Sequence, residues 1–432
     1  MTILANALRL PCGATLNNRI AKSAMTEGLA GPKLYSNARL ENLYRLWSEG
    51  GAGLLITGNV MIDKRVLERP GNLAVDPARD FVPGHAGFEA LKRLAEAGTK
   101  NGNHLWMQIS HAGRQSPWYV AKEPLAPSAV QLDLLGNYKK PRALTGEEIL
   151  DFIQRYADVA RVAQAAGFTG VQIHAAHGYL LSAFLSPVTN QRADQWGGPL
   201  GHRARFLLET IRATRRAVGP GFPISVKLNS DDFRKGGFSF DECLKLVQWL
   251  NGEKLDLLEI SGGNYEQPRL LGMRGGDASA TEVKRASTIA REAYFLDYAT
   301  GIRKVAKMPL LMPGGFRSLE AMEDAISSGA LDVIGLARPM CTDADIPRRL
   351  LDGSASQAPA YERTLSLGSG YFSASSSSFA LKMVNILGQM GWYYAHIEDL
   401  ADGRRIRLKR GLLTAFVRYL KNEYVRAWRM QR

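Results

Sequence analysis

The chain has 432 residues, 45% hydrophobic and 22% charged, the balance of an ordinary globular protein. Its formal net charge is +14, but ten Lys/Arg against two Asp/Glu fall between Ala401 and Arg432, so the body is only mildly basic. Composition excludes a membrane span, because no apolar run reaches about eighteen residues. The Met1 to Leu10 stretch lacks the basic start and apolar centre of a signal peptide, so a cytoplasmic location is expected. Cys12, Cys243 and Cys341 are too dispersed for a four-cysteine zinc or iron–sulfur site, and no metal is expected.

In chain order, short apolar runs predict strands at Arg19–Ala24, Leu54–Thr57, His104–Ile109, Val171–His174, Ile224–Leu228, Leu257–Ile260, Leu310–Pro313 and Val333–Leu336. Helical periodicity lies between them, as in Glu147–Ala166, His202–Val218 and Leu319–Ser328. Strands alternating with helices imply crossovers and a parallel sheet, the α/β class. Their number points to a (β/α)8 TIM barrel, with a doubly wound open sheet as the alternative. Nearly every strand runs into polar or glycine residues. These are Met25-Thr26, Gly58-Asn59, His111 to Arg114, His174 to Tyr179, Lys227, Ser261 to Asn264, Gly314 to Arg317 and Ala337 to Pro339. In a barrel all those ends meet on one face, which favours that reading.

Past Leu351 the pattern changes. The chain divides into a barrel over 1–352, a linker-like, serine-rich segment over 353–379, and a basic C-terminal helical extension over 380–432. The extension carries helical patterns at Ala380–Ala401 and Leu412–Met430. Leu413, Phe416, Val417, Leu420, Tyr424 and Trp428 share one face of the second helix. That face is expected to pack on the barrel or on a neighbouring subunit of a homo-oligomer, with attachment to an anionic membrane surface as the alternative. No nucleic-acid motif accompanies the charge.

Gly170 to Leu181 holds the most informative cluster. His174, His177 and Tyr179 are proton-donating side chains at the end of an apolar strand, pinned by Gly178. Two histidines three apart also suit a metal pair, but no third ligand at suitable spacing follows. Satisfied core residues are the plainer alternative. After the seventh strand, Gly314-Gly315 lets backbone approach an anion at the next helix N-terminus, and Arg338 adds a charged fork one strand later. Barrel enzymes often hold a phosphate between those loops. Lys227, at another strand end, also suits a Schiff base. His111 and Arg114 either contact a ligand or order the third loop. Arg192, Asp194 and Trp196 read as loop-fixing, and Lys22 as incidental.

Together these pieces resemble the old yellow enzyme family of FMN-dependent NAD(P)H oxidoreductases, from Asn18 to about Arg349. The His111-Ala112-Gly113-Arg114 element is more similar to the family's bacterial branch. The resemblance implies an FMN across the barrel mouth and NADPH or NADH as hydride donor. It implies that Ser23, Ala24 and Met25 border the ring system and Thr26 bonds a carbonyl near N5. Gln108 meets the pyrimidine edge and Lys227 lies by N1. Gly314, Gly315, Ala337 and Arg338 hold the phosphate. Asn59 and Ala337 add side-chain atoms near the flavin where smaller residues are common. The implied reaction is reduction of the C=C bond of an α,β-unsaturated carbonyl compound. His174 and His177 bind the carbonyl oxygen and Tyr179 protonates the α-carbon. The alternatives are a flavin dehydrogenase oxidising an amine or a saturated carbonyl compound, and a non-catalytic barrel that binds anionic surfaces through its tail.

Overall fold

The structure, a computed structural model, describes residues 2–77, 79–263 and 296–430. Eight parallel strands close a barrel: β1 (Ile20–Lys22), β2 (Leu54–Ile56), β3 (His104–Ser110), β4 (Gly170–Ala175), β5 (Ile224–Asn229), β6 (Leu257–Ser261), β7 (Leu310–Pro313) and β8 (Val333–Leu336). Pairing of Gly170 with Trp106 and of Ile334 with Ile20 completes the ring. The strands are buried on both faces, as a parallel sheet inside a helical shell requires, with polar residues such as Gln172, Lys227 and Glu259 set among the apolar ones.

Helices follow every strand: α1 (Ala38–Glu49), α2 (Ala86–Gly98), α3 (Gly146–Ala165), α4 (Leu180–Leu185), α5 (Leu200–Val218), α6 (Phe240–Leu250), α7 (Leu296–Arg303), α8 (Leu319–Ser327) and α9 (Ile346–Leu351). Local sequence sets their starts. Asn37 caps α1 through Arg39 and Leu40, and Thr145 with Glu148 forms a capping box on α3. At the barrel's N-terminal end, a hairpin of Leu8–Arg9 and Thr15–Leu16 inserts Leu10 and Leu16 among Ala21, Leu54, Trp106, Leu257 and Val333. This plug closes the floor, so a ligand enters from the opposite mouth.

Beyond the barrel, α10 (Phe379–Ala401) and α11 (Leu412–Arg429) form an antiparallel pair against α1. Among the described residues no helix is long and apolar enough to cross a membrane. Residues 353–379, read as linker-like, are tied down. Ser356 and Arg317 carbonyls accept Leu319 and Ala358 amides, and buried Asn385 bonds Leu367, Phe372 and Ser373.

Within one chain much of the expected packing face of the terminal helix is uncovered, although the Tyr424 ring lies 5.1 Å from that of Tyr119. Leu413, Val417, Tyr424 and Trp428 stand half or more exposed, whereas Leu412, Ala415 and Glu423 are buried. Two features of α10 turn the helix this way. Gly388 and Gly391 admit Leu412 and Ala415, where a Cβ would lie 2.8 Å from Leu412 Cγ and 2.7 Å from the Ala415 carbonyl. Buried Glu398 then gathers Arg418, Asn422 and Arg426 inward.

Candidate active site

The end of β4 places the three proton donors together. Ring centroids of His174 and Tyr179 are 4.8 Å apart, His174 and His177 5.2 Å, and His177 and Tyr179 6.5 Å. His177 takes a left-handed backbone (φ 63°) just before Gly178 (φ 80°), so the chain leaves the strand abruptly. Such a conformation costs about 1 kcal/mol or more for a residue with a Cβ and is held by its surroundings. Here the His177 amide donates to Asn229 Oδ1 at 3.0 Å, and its carbonyl accepts from Gln115 Nε2 at 2.9 Å. His177 Nε2 lies 2.6 Å from Ser261 Oγ on β6, while His174 Nδ1 is buried without a hydrogen-bond partner. Burial, then the neighbouring His177 and Lys227, pushes His174 well below its ordinary pKa; burial and Lys227 do the same to His177. Each ring is therefore neutral at pH 7, with one N–H to donate.

Under this triangle runs a buried polar row. Gln108 Nε2 donates to Gln172 Oε1 at 2.6 Å, and Gln172 Nε2 to Glu259 Oε2 at 2.7 Å. Glu259 Oε1 is 3.0 Å from Lys227 Nζ. At the mouth's other side, Ser23 donates its amide to the Leu336 carbonyl, and Met25 Sδ touches Cys341 Sγ at 3.4 Å. Ala24 is half-buried between them. Thr26 Oγ1 and Asn59 Nδ2 both donate to Glu68 Oε2, at 2.7 and 2.6 Å.

A model of the NADH:flavin oxidoreductase / NADH oxidase family, the FMN oxidoreductases, matches residues 12–357. The chain belongs to this family. It is 35% identical over 357 residues to the NADH-dependent flavin oxidoreductase iliE of Neonectria sp. (strain DH2), across 79% of this chain and 46% of that one. The chain thus spans about half the length of that relative. It is 32% identical over 423 residues to the NADH-dependent flavin oxidoreductase iccE of Talaromyces variabilis, across 93% of this chain and 99% of that one. Among solved structures, the old yellow enzyme homologue from Zymomonas mobilis superposes with a TM-score of 0.67 at 26% identity, across 83% of this chain and 94% of that one.

As an NAD(P)H-dependent flavin oxidoreductase the chain uses FMN, and its mouth fits that group. Three buried polar atoms at the mouth, Ser23 Oγ, Asn59 Oδ1 and His174 Nδ1, have no hydrogen-bond partner among the described residues, which is costly unless a ligand supplies one. Gly314 (φ 124°) and Gly315 (φ 86°) adopt backbone that favours glycine and bring main chain to the mouth. Ser318 caps α8 behind them through the Ala321 amide. Arg338, after Ala337, is exposed and free to reach an anion. Burial pushes the Glu362 carboxyl up, but Arg338 and Arg317 outweigh it and hold the group below its usual range. Arg317 bonds Glu362 at 2.7 Å, and Tyr393 of α10 donates to Glu362 at 2.6 Å. The Gly314–Arg317 loop is thus braced by the C-terminal extension, beyond the span that the family model matches.

Other residues fall elsewhere. His111 is wholly buried, accepts from the Gly113 amide, and lies 3.9 Å from Asp63. Burial raises the Asp63 carboxyl, but His111 and Arg65 overcome it and hold the group far below the carboxylate range. Arg114 donates to the Val130 and Gln131 carbonyls and Arg192 to those of Pro127 and Leu144, so both order loops. Asp194 pairs with Arg192, and Trp196 is buried beside Phe206. Lys22, read as incidental, is fully buried. Its Nζ lies 4.3 Å over Trp47 and bonds the Ile56 carbonyl at 2.8 Å, and burial lowers its pKa to about 8. It fastens β1 to β2 and α1. Among the described residues no metal-binding cluster occurs, and Asn264 lies outside them.

Sequence reading passed over Gln172 and Glu259, took Ser261 only as a polar strand end, and passed over Glu68. For the first three a signal existed. Gln172 and His174, and Glu259 and Ser261, are two apart on a strand and share a face. A polar residue inside an otherwise apolar buried strand marks that face as lining something polar. Glu68 sits in a loop, where no periodicity points to it.

Proposed function

We propose that the chain reduces the activated C=C bond of α,β-unsaturated carbonyl compounds, with NADH as donor. When bound, FMN would supply the redox chemistry, the relay of a hydride from NADH to the substrate's β-carbon. The chain's own residues bind, orient and protonate. His174 and His177, neutral and donor-bearing, hold the carbonyl oxygen and draw electron density from the double bond. Tyr179, on the same triangle, delivers the proton to the α-carbon. Balance is complete: one hydride and one proton enter, and the double bond becomes single.

The remaining roles follow from position. Ser23, Ala24, Met25, Thr26 and Asn59 form one wall, Gln108 and Lys227 the pyrimidine end, and Gly314, Gly315, Ala337 and Arg338 the phosphate seat. The observation that carries the reading is His174 Nδ1. A buried ring nitrogen without a partner, 4.8 Å centroid to centroid from a tyrosine, is a seat for a ligand oxygen. NADH is favoured over NADPH because both curated relatives described above are named NADH-dependent.

The test is a two-step anaerobic experiment. Purified protein reconstituted with FMN is reduced with NADH, and cyclohexenone is then added. Return of the oxidised flavin spectrum with formation of cyclohexanone supports the proposal. A flavin that NADH bleaches but a panel of enones leaves bleached refutes it and favours an oxidase or dehydrogenase reading.

A further inference from the structure

We propose that Glu259 sets the reducing power of the bound flavin by countering the charge of Lys227; this rests on the FMN reading above. Lys227 faces His174 across one strand pair and Glu259 across the next, so all three occupy one layer of the barrel. Lys227 is 5% exposed and Glu259 0%. A lone buried ammonium at the pyrimidine end would strongly stabilise negative charge gathering there on reduction. Here that ammonium carries a carboxylate 3.0 Å away, and the pair's net charge is zero.

The carboxylate cannot swing aside. Its second oxygen accepts from Gln172 at 2.7 Å, and Gln172 in turn accepts from Gln108 at 2.6 Å. A carboxylate only accepts, so Glu259 dictates the polarity of the whole row. Gln172 must present its amide nitrogen to Glu259, and its oxygen is left for Gln108. The orientation of the Gln108 amide at the cofactor edge is therefore fixed from three strands away. Glu259 is bonded to Lys227 and Gln172 and is a positioning residue that acts through them. The consequence is a flavin with lower potential than the lysine alone would give, and so a stronger donor to an enone.

The measurement is the equilibrium between protein-bound FMN and a reference redox dye during anaerobic reductive titration. Glu259→Gln is expected to shift that equilibrium toward reduced flavin by about tenfold or more. Glu259→Asp, which keeps the charge, is expected to stay within about threefold of the parent. Should Glu259→Gln not fold, the Lys227→Gln/Glu259→Gln pair, which removes both buried charges together, carries the test. The double variant is expected to remain near the parent. Bound FMN whose equilibrium is unmoved by Glu259→Gln overturns the proposal. So does a double variant that falls tenfold, because the lysine was then uncountered. Failure of the parent protein to bind FMN is a different result and removes the functional reading instead.

Discussion

Arg69, in the loop after β2, and Glu423, on α11, form an ion pair with side chains only 6% and 3% exposed. The guanidinium also lies 3.9 Å over the Tyr394 ring of α10. The terminal helices thus hold the loop whose Glu68 binds Thr26 and Asn59. Glu423→Ala leaves Arg69 buried and uncompensated, and is expected to cost about 3–5 kcal/mol of stability. A denaturant titration at unchanged slope reads this loss. Arg69→Met with Glu423→Leu is expected to recover most of it. FMN affinity, followed by flavin fluorescence on titrating apoprotein, is expected to fall in the single variant.

This clamp shows what the sequence could and could not tell. All eight barrel strands were legible, β7 and β8 to the residue, because a parallel sheet writes itself as apolar runs of fixed length. The clustering of His174, His177 and Tyr179 was legible because they follow one another closely at the end of one buried strand. The orientation of α11 was not. Its apolar stripe predicted a face against the barrel or a neighbouring subunit, but Gly388, Gly391 and Glu398 on α10 determine which side packs within the chain. A single-helix pattern contains nothing about its partner's surface. The pairing of Arg69 with Glu423 is likewise a product of tertiary structure, across 354 positions.

The two site histidines predict a pH dependence. Their folded pKa values lie below the 6.5 of the free side chain, from burial first and nearby charge second. The folded state therefore binds fewer protons than the unfolded one. The stability that follows is fully present above pH 6.5 and is lost as pH falls from there through the depressed values. Melting temperature of the parent is expected to drop more steeply below pH 6.5 than that of His174→Asn, which has no ring to protonate. Parallel curves would mean that the rings titrate normally.

Tyr179→Phe separates the two halves of the proposed reaction. The phenyl ring preserves the contact with His174 but removes the acid. Flavin reduction by NADH, followed in a stopped-flow instrument, is expected to proceed near the parent rate. Reoxidation by cyclohexenone is expected to slow by about 10²–10⁴-fold, the contribution of a positioned general acid. Equal slowing of both halves would assign the tyrosine to binding instead.

Glu68 predicts how the proposed flavin wall at Thr26 and Asn59 behaves. One carboxylate oxygen accepts from both Thr26 Oγ1 and Asn59 Nδ2. A threonine hydroxyl has a single proton, and here that proton is directed to Glu68. Toward a flavin carbonyl, Thr26 then offers only lone pairs. Thr26→Val is accordingly expected to move the flavin potential little. Glu68→Gln can donate its own amide to Thr26 and release the hydroxyl proton for the carbonyl, which is expected to raise the potential. In a Thr26→Val background the same Glu68→Gln change is expected to lose most of that rise, since no hydroxyl remains to turn. Spectroelectrochemical titration of the four proteins decides the matter. A large fall in Thr26→Val alone would show that cofactor binding rotates the hydroxyl away from Glu68, and that Asn59 alone keeps the carboxylate in place.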